Sequence, residues 1–148
     1  IRENKITVLT SNGSVSRKFA TGTKFAFYIT VNHRDEILVS DWFNHCVRVF
    51  DPMGNLIRTI SSRGHSDGQM MIPLGICTDR HGNVIVLDCK EERVTMYTQE
   101  GRFIKHILQK DEGLEHCRAM ALSRDGQLVI SHGDNKRNIP NEICIYQI

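Results

Sequence analysis

The sequence predicts an all-β chain built from repeated four-stranded antiparallel sheets, and three observations carry that prediction. The first is internal repetition. The segment from Ile29 to Asp41 (ITVNHRDEILVSD) returns 47 residues later as Ile76 to Asp88 (ICTDRHGNVIVLD). It returns again, after a further 44 residues, as Met120 to His132 (MALSRDGQLVISH). A period of roughly 40–50 residues with several short strands per unit marks a propeller blade or a related array. The second is alternation of apolar and polar residues with a period of two, as in Cys46 to Phe50 (CVRVF), Val94 to Tyr97 (VTMY) and Ile143 to Tyr146 (ICIY). The third is turn chemistry at matching places: Gly82-Asn83 and Asp125-Gly126 interrupt the repeated segments, which is how hairpins are written. No segment of useful length has the helical period.

Each element then falls into order. Ile6 to Leu9, a turn at Asn12-Gly13 and Val15 to Phe19 read as the third and fourth strands of one blade, residues 1–20. Residues 21–61 hold a complete blade. Its first hairpin turns at Arg34 to Glu36 without glycine, its third strand is Cys46 to Phe50, and its fourth is Leu56 to Ile60. Residues 62–109 hold a second complete blade, closed by a strand over Arg102 to Ile107. Residues 110–148 form an incomplete last blade of three strands, with an expanded loop from Gly133 to Asn141. Thirteen strands make about half of a six-bladed ring, since propellers close with about four to eight blades. Open ends expose strand edges, so the chain is expected to be part of a larger propeller or to self-associate to cover them.

Composition narrows the function classes. Of 148 residues, 40% are apolar and 24% charged, and the formal net charge is +2 from 19 basic and 17 acidic residues. That balance does not by itself point to nucleic acid, yet it leaves room for a local basic patch. No apolar run approaches the ~20 residues of a membrane span. The first residues lack the apolar core of a signal peptide. The chain does not start with Met and is read as a piece of something longer. Five cysteines, with no Cys-x-x-Cys pair, sit mostly in apolar strand patterns and read as free thiols packed as small hydrophobes. A reducing compartment follows, with the cytoplasm as the expected location.

Two motifs are specific enough to name a family. Asp41 to Asp51 (DWFNHCVRVFD) resembles the defining segment of the NHL repeat: an Asp, then Asn-His, then an alternating strand ending in an aromatic residue and Asp. Ser62 to Ile76 (SRGHSDGQMMIPLGI) resembles the inter-blade linker of NHL propellers, with Gly-Gln, an apolar residue and Pro-x-Gly-Ile. The resemblance covers essentially the whole chain and is weakest in the last unit, where Cys117-Arg118-Ala119 replaces Pro-x-Gly and His132 replaces the repeat Asp. The chain is most similar to the C-terminal part of tripartite-motif (TRIM) proteins that carry an NHL propeller. In that family an N-terminal zinc-binding RING acts as an E3 ubiquitin ligase, and the propeller recognises protein substrates, adaptor proteins or RNA. The resemblance therefore implies a non-catalytic recognition propeller. It implies no cofactor in this chain, because zinc belongs to RING and B-box domains that lie elsewhere.

Repeat geometry defines one face for recognition. Loops joining a fourth strand to the next first strand lie on the same side as loops joining second to third strands. The Pro-x-Gly register puts Phe27, Leu74 and Arg118 on the channel rim of that side. Phe27 and Trp42 are candidate stacking or hot-spot residues; a base on an aromatic face contributes about 1–3 kcal/mol. Arg63, Lys90, Arg118, Lys136 and Arg137 are candidate charged contacts, with Lys24 beside them. Packing explains many aromatic residues and solvation explains most surface charges. The acidic residues Asp67, Glu91, Glu92, Asp111, Glu112, Glu115 and Asp134 occupy the same loops.

Catalysis is not indicated. His45 belongs to the repeat's own Asn-His pair and reads as a structural hydrogen-bonding group. Asp41 and Asp88 recur at one repeat position and read as backbone binders in Asx-type turns. Some NHL-like propellers are lyases with zinc held by channel histidines. The seven histidines here share no repeat position and form no His-x-His or His-Glu-x-x-His spacing. The expected function is thus recognition of a protein partner, with single-stranded or hairpin RNA as the alternative ligand in post-transcriptional repression, and a metal-dependent lyase a distant third.

Overall fold

Thirteen strands and one 3-10 turn make up the computed structural model of the chain, which describes residues 4–134 and 139–148. The first sheet pairs β1 (Lys5–Leu9) with β2 (Val15–Ala20). The second holds β3 (Ala26–Val31), β4 (Ile37–Asp41), β5 (Cys46–Phe50) and β6 (Leu56–Ile60). The third holds β7 (Pro73–Thr78), β8 (Val84–Asp88), β9 (Arg93–Tyr97) and β10 (Phe103–Leu108). After the 3-10 turn at Lys110–Glu112, the fourth holds β11 (Cys117–Leu122), β12 (Gln127–Asp134) and β13 (Ile139–Gln147). Strands follow one another in chain order within each sheet, and every neighbouring pair is antiparallel. The expected all-β architecture of two, four, four and three strands is what forms. Several strand ends shift by one residue, as β10 does from Arg102–Ile107 to Phe103–Leu108, and one boundary differs by more: β12 runs on to Asp134 and β13 begins at Ile139, so strand pairing extends into the segment from Gly133 to Asn141 that the sequence reading leaves as loop. Asp134 pairs with Ile139 across a bulge there. Polar residues at the end of a hairpin hide strand from a hydrophobicity pattern, because pairing uses the backbone alone.

The sheets stack face to face. Leu38, Val47, Val49 and Ile60 of the second sheet meet Ile76, Val84, Val86 and Tyr97 of the third, with Met70 of the linker between them. On its other face the third sheet presents Cys77, Ile85, Leu87 and Val94 to Leu114, Met120, Leu128 and Ile130. Ile37, Val39 and Phe50 pack against Ile6 and Phe19 of the first sheet. Strands β4 and β8 are therefore buried on both faces, which explains their nearly unbroken apolar runs. Each fully buried aliphatic side chain contributes about 1.5–3 kcal/mol relative to exposure.

First strands gather together: β7 touches β3, β4 and β11. Gly75, the glycine of Pro-x-Gly, makes the β7–β11 approach possible. A Cβ there would stand 2.8 Å from Met120 Cβ and 3.0 Å from the Met120 amide nitrogen. Each first strand carries a register shift near its start. In the second and fourth sheets a serine on the second strand accepts the amide it frees: Tyr28 N–H donates to Ser40 Oγ (3.0 Å) and Ala119 N–H to Ser131 Oγ (3.2 Å).

The first hairpins share one turn geometry. In each, the residue opening the turn bonds back four residues on, as Asp79 N–H does to the Asn83 carbonyl. One position takes a left-handed backbone, filled by Gly82 (φ 83°), Gly126 (φ 82°) and, in the second sheet, Asp35 (φ 58°). Aspartate tolerates that conformation better than most side chains, so the glycine-free turn closes like the others. No helix among the described residues is long and apolar enough to cross a membrane.

Candidate recognition face

The two loop classes meet at Asp88. Its buried carboxylate accepts the amides of Met71 (2.6 Å) and Ile72 (3.0 Å) from the loop that enters β7. It also accepts those of Lys90 (3.1 Å) and Glu91 (3.2 Å) from the loop that leaves β8. One side chain thus holds both loops on one side of the array. In the second sheet Asp41 does related work with different partners: Asn44 N–H (3.1 Å), Asn44 Nδ2 (2.7 Å) and Arg48 Nε (3.1 Å). In the fourth sheet His132 replaces the carboxylate, and its Nδ1 meets the Glu115 carbonyl at 3.1 Å. These are structural roles that span loop to strand.

The linker from Ser61 to Ile72 is held at further points. Arg93 donates to the carbonyls of His65 (3.2 Å), Ser66 (3.3 Å) and Gln69 (2.8 Å). Tyr97 donates its hydroxyl to the Gly68 carbonyl (3.3 Å). His45, in a left-handed backbone conformation (φ 58°), donates Nδ1–H to the Met71 carbonyl. The repeat histidine is therefore a strut between the second sheet and the linker.

On this scaffold the face displays an aromatic cluster. Trp42, half-buried, sits with Phe25 at 5.2 Å between ring centroids, Phe27 at 6.2 Å and Phe43 at 6.4 Å. Phe27 is 59% exposed, Phe43 45% and Phe25 44%. Lys24 Nζ lies 5.1 Å from the Phe43 ring centre, a cation–π distance. The sequence reading selects Phe27 and Trp42; Phe25 and Phe43 complete the cluster. They flank the selected residues directly, in Phe25-Ala26-Phe27 and Trp42-Phe43, which is the signal that would have found them.

The other selected residues spread around the face. Leu74 is half-buried on β7, next to Pro73. Arg63 is exposed in the linker, where it bridges to Met70. Lys90 is exposed in the loop after β8. Arg118 is exposed on β11; its Nε donates to the Gly133 carbonyl (2.6 Å), while its own carbonyl accepts the Tyr28 hydroxyl (2.6 Å). That last bond ties the second sheet to the fourth over the first residues of β7. Lys136 and Arg137 lie outside the described residues. Three acidic residues of the face are engaged: Asp67 with His106 (3.0 Å), Glu91 with His65 (2.8 Å) and Glu92 with Lys110 (3.5 Å). No cluster of three or more His, Cys, Asp or Glu suited to a metal ion occurs among the described residues.

Comparison with known proteins places this geometry. No protein-family model matches the chain. It is 29% identical over 104 residues to protein brain tumor of Drosophila melanogaster, covering 69% of the chain and 10% of that protein. It is 36% identical over 85 residues to NHL-repeat-containing protein 4 of Mus musculus, covering 57% of the chain and 56% of that protein. Over 48 residues it is 42% identical to protein lin-41 of Caenorhabditis elegans, which is 32% of the chain and 4% of that protein. Among solved structures, a streptogramin B lyase superposes with a TM-score of 0.67 at 16% identity, over 99% of the chain and 48% of the lyase. The WD40 β-propeller domain of Doa1 superposes with a TM-score of 0.64 at 14% identity, over 93% of the chain and 42% of that domain's chain. At such identities the structural likeness speaks for the fold alone. Motifs, sheets and relatives agree: the chain is built of β-propeller blades, is similar to NHL-repeat proteins and resembles the C-terminal part of TRIM-NHL proteins.

Proposed function

We propose that this chain is the partner-recognition part of a larger NHL protein, itself non-catalytic, and that it binds a protein substrate or adaptor through the face around Trp42. In the full protein, a RING-type E3 ubiquitin ligase would act on what the propeller holds. The observation that carries this reading is the exposed cluster of Phe25, Phe27 and Phe43 around a half-buried Trp42. Exposed contiguous aromatic surface costs solubility, and where it forms on a loop face it marks a binding site. Aromatic anchors carry most of the energy in protein interfaces.

RNA is the second reading, favoured by a specific arrangement. Lys24, Arg63, Lys90 and Arg118 are exposed on the same face as the rings, a combination of stacking surfaces and cations that suits single strands. Salt separates the two. Capture of a protein partner from lysate should fall at least tenfold in the Phe27→Ala/Phe43→Ala double variant and change little between about 50 and 200 mM salt. RNA binding would fall steeply over that range, because phosphate contacts release counterions, and Arg118→Glu would abolish it. Both substituted phenylalanines are largely exposed, so an unchanged circular dichroism spectrum is expected. Undiminished capture by the double variant would remove the aromatic cluster from the binding site.

A further inference from the structure

Of the five thiols, two meet sulfur to sulfur among the described residues. Cys89 opens the loop after β8 in the third sheet, and Cys117 opens β11 in the fourth. Their Sγ atoms stand 2.6 Å apart, and the Cys89 sulfur also lies 2.8 Å from the Cys117 carbonyl. Cys46 and Cys77 pack in strands without a sulfur neighbour, and burial pushes their thiols up to about 11 and about 12. Cys144 is on β13, next to Tyr146. Cys89 is half-buried, so a small oxidant can reach it, whereas Cys117 is buried behind it. Asp88, which precedes Cys89, is itself fixed by the four amides its carboxylate accepts, and Arg118 follows Cys117 directly. The pair is therefore held in place from both sides.

We propose that Cys89 and Cys117 are an oxidative modification site, closing to a disulfide that staples the third sheet to the fourth when the protein meets hydrogen peroxide. The chemistry balances with peroxide as the oxidant. The Cys89 sulfur, as thiolate, attacks one peroxide oxygen. The O–O bond breaks, the departing hydroxide takes up a proton and leaves as water, and Cys89 becomes a sulfenic acid. Cys117 then loses its proton and attacks the Cys89 sulfur. The S–O bond breaks, a second water leaves, and the S–S bond forms. Two thiols are oxidised by two electrons and one peroxide is reduced to two waters. Cys117 beside it, followed by burial, holds the Cys89 thiol above the usual cysteine value. The reaction is accordingly slow at neutral pH and faster as pH rises. Proximity, not acidity, selects this pair.

A closed bond would fix β11, and with it Arg118, against the loop of Lys90. It would thereby freeze one sector of the recognition face. This inference is independent of which partner that face binds.

The test uses the full chain. Treat it with hydrogen peroxide while folded, block remaining thiols with N-ethylmaleimide, and map the unreduced peptides by mass spectrometry. A parallel sample is oxidised in urea. The folded sample should give one dominant crosslink, Cys89 to Cys117, at two hydrogens below the summed thiol peptides and reversible by dithiothreitol. The unfolded sample should give a statistical mixture. Cys89→Ser should give no crosslink at Cys117. A folded sample in which both cysteines stay alkylatable, or one with the same mixture as in urea, overturns the proposal.

Discussion

Asp88 is a single carboxylate that satisfies four backbone amides, at 2.6, 3.0, 3.1 and 3.2 Å. Hydrogen bonds to an ionised group are worth about 1.5–3 kcal/mol each, and orphaned buried donors cost more than the lost bond. Asp88→Ala should therefore destabilise the chain by about 3 kcal/mol or more, read from the urea midpoint. Glu36 gives a pH-dependent counterpart. It is paired with both guanidinium nitrogens of Arg58, one at 3.0 Å, and with Asn32 Nδ2 at 2.7 Å. The Arg58 hydrogen bonds hold its carboxyl below the usual 4.5 against the opposing effect of burial. A lowered folded-state value means that its contribution is present above about pH 4.5 and disappears as pH falls through the depressed value. Wild type should thus exceed Glu36→Gln in stability at pH 7 and converge with it in acid, as followed by thermal melts across pH 2–7. At this scale the sequence shows which residues recur but not what they hold. Spacing selects Asp41 and Asp88 together, yet one binds Asn44 and Arg48 while the other binds a linker. His45 is legible as structural from its motif. Its partner, Met71, is 26 residues away and leaves no periodic trace.

Elements were the most legible level. Thirteen strands follow from alternation and turn residues, because a strand between two packed sheets must be apolar and a hairpin must turn on residues that accept its backbone. Pro-x-Gly shows how an element encodes contact. Gly75 is needed because β11 approaches β7 too closely for a side chain. Gly75→Ala forces β11 outward and should cost about 1–3 kcal/mol, the range for overpacking, as measured by the shift in urea midpoint. The fourth sheet carries Ala119 in the corresponding register. What escaped the pattern is the strand pairing of Asp134 with Ile139 at the end of the hairpin, and the anchoring of the linker by Arg93. A guanidinium reaching carbonyls 24 to 28 residues away depends on the finished stack.

At the scale of the whole molecule, position within the stack decides exposure. Ile76 of β7 and Met120 of β11 are buried at 6% and 8%, each facing the sheet before it. Ile29, the corresponding residue of β3, is 56% exposed and Val31 is 55% exposed; the sheet before it holds two strands among the described residues, β1 and β2. Formal charge nearly cancels over the whole chain, at a net +2 over 148 residues, and Asp67, Glu91 and Glu92 are engaged by His106, His65 and Lys110 on the candidate face. The field around that face is accordingly modest, and the weak salt dependence expected for a protein partner belongs to this scale. The candidate face was legible as a side of the array, through the two loop classes. Phe27 and Trp42 of its aromatic centre were legible as well; Phe25 and Phe43 joined them only when the loops before β3 and after β4 came together.

One connection behaves contrary to its length. The stretch from Ser61 to Ile72 is long and rich in small polar residues, the kind of segment that ordinarily swings or is nicked. Here Arg93, Tyr97, His45 and Asp88 grip its backbone from two different sheets. A protease must peel a segment away before cutting it, and peeling this one means tearing those grips loose together. It works as a strap rather than a hinge, so neighbouring blades are obliged to move as one piece.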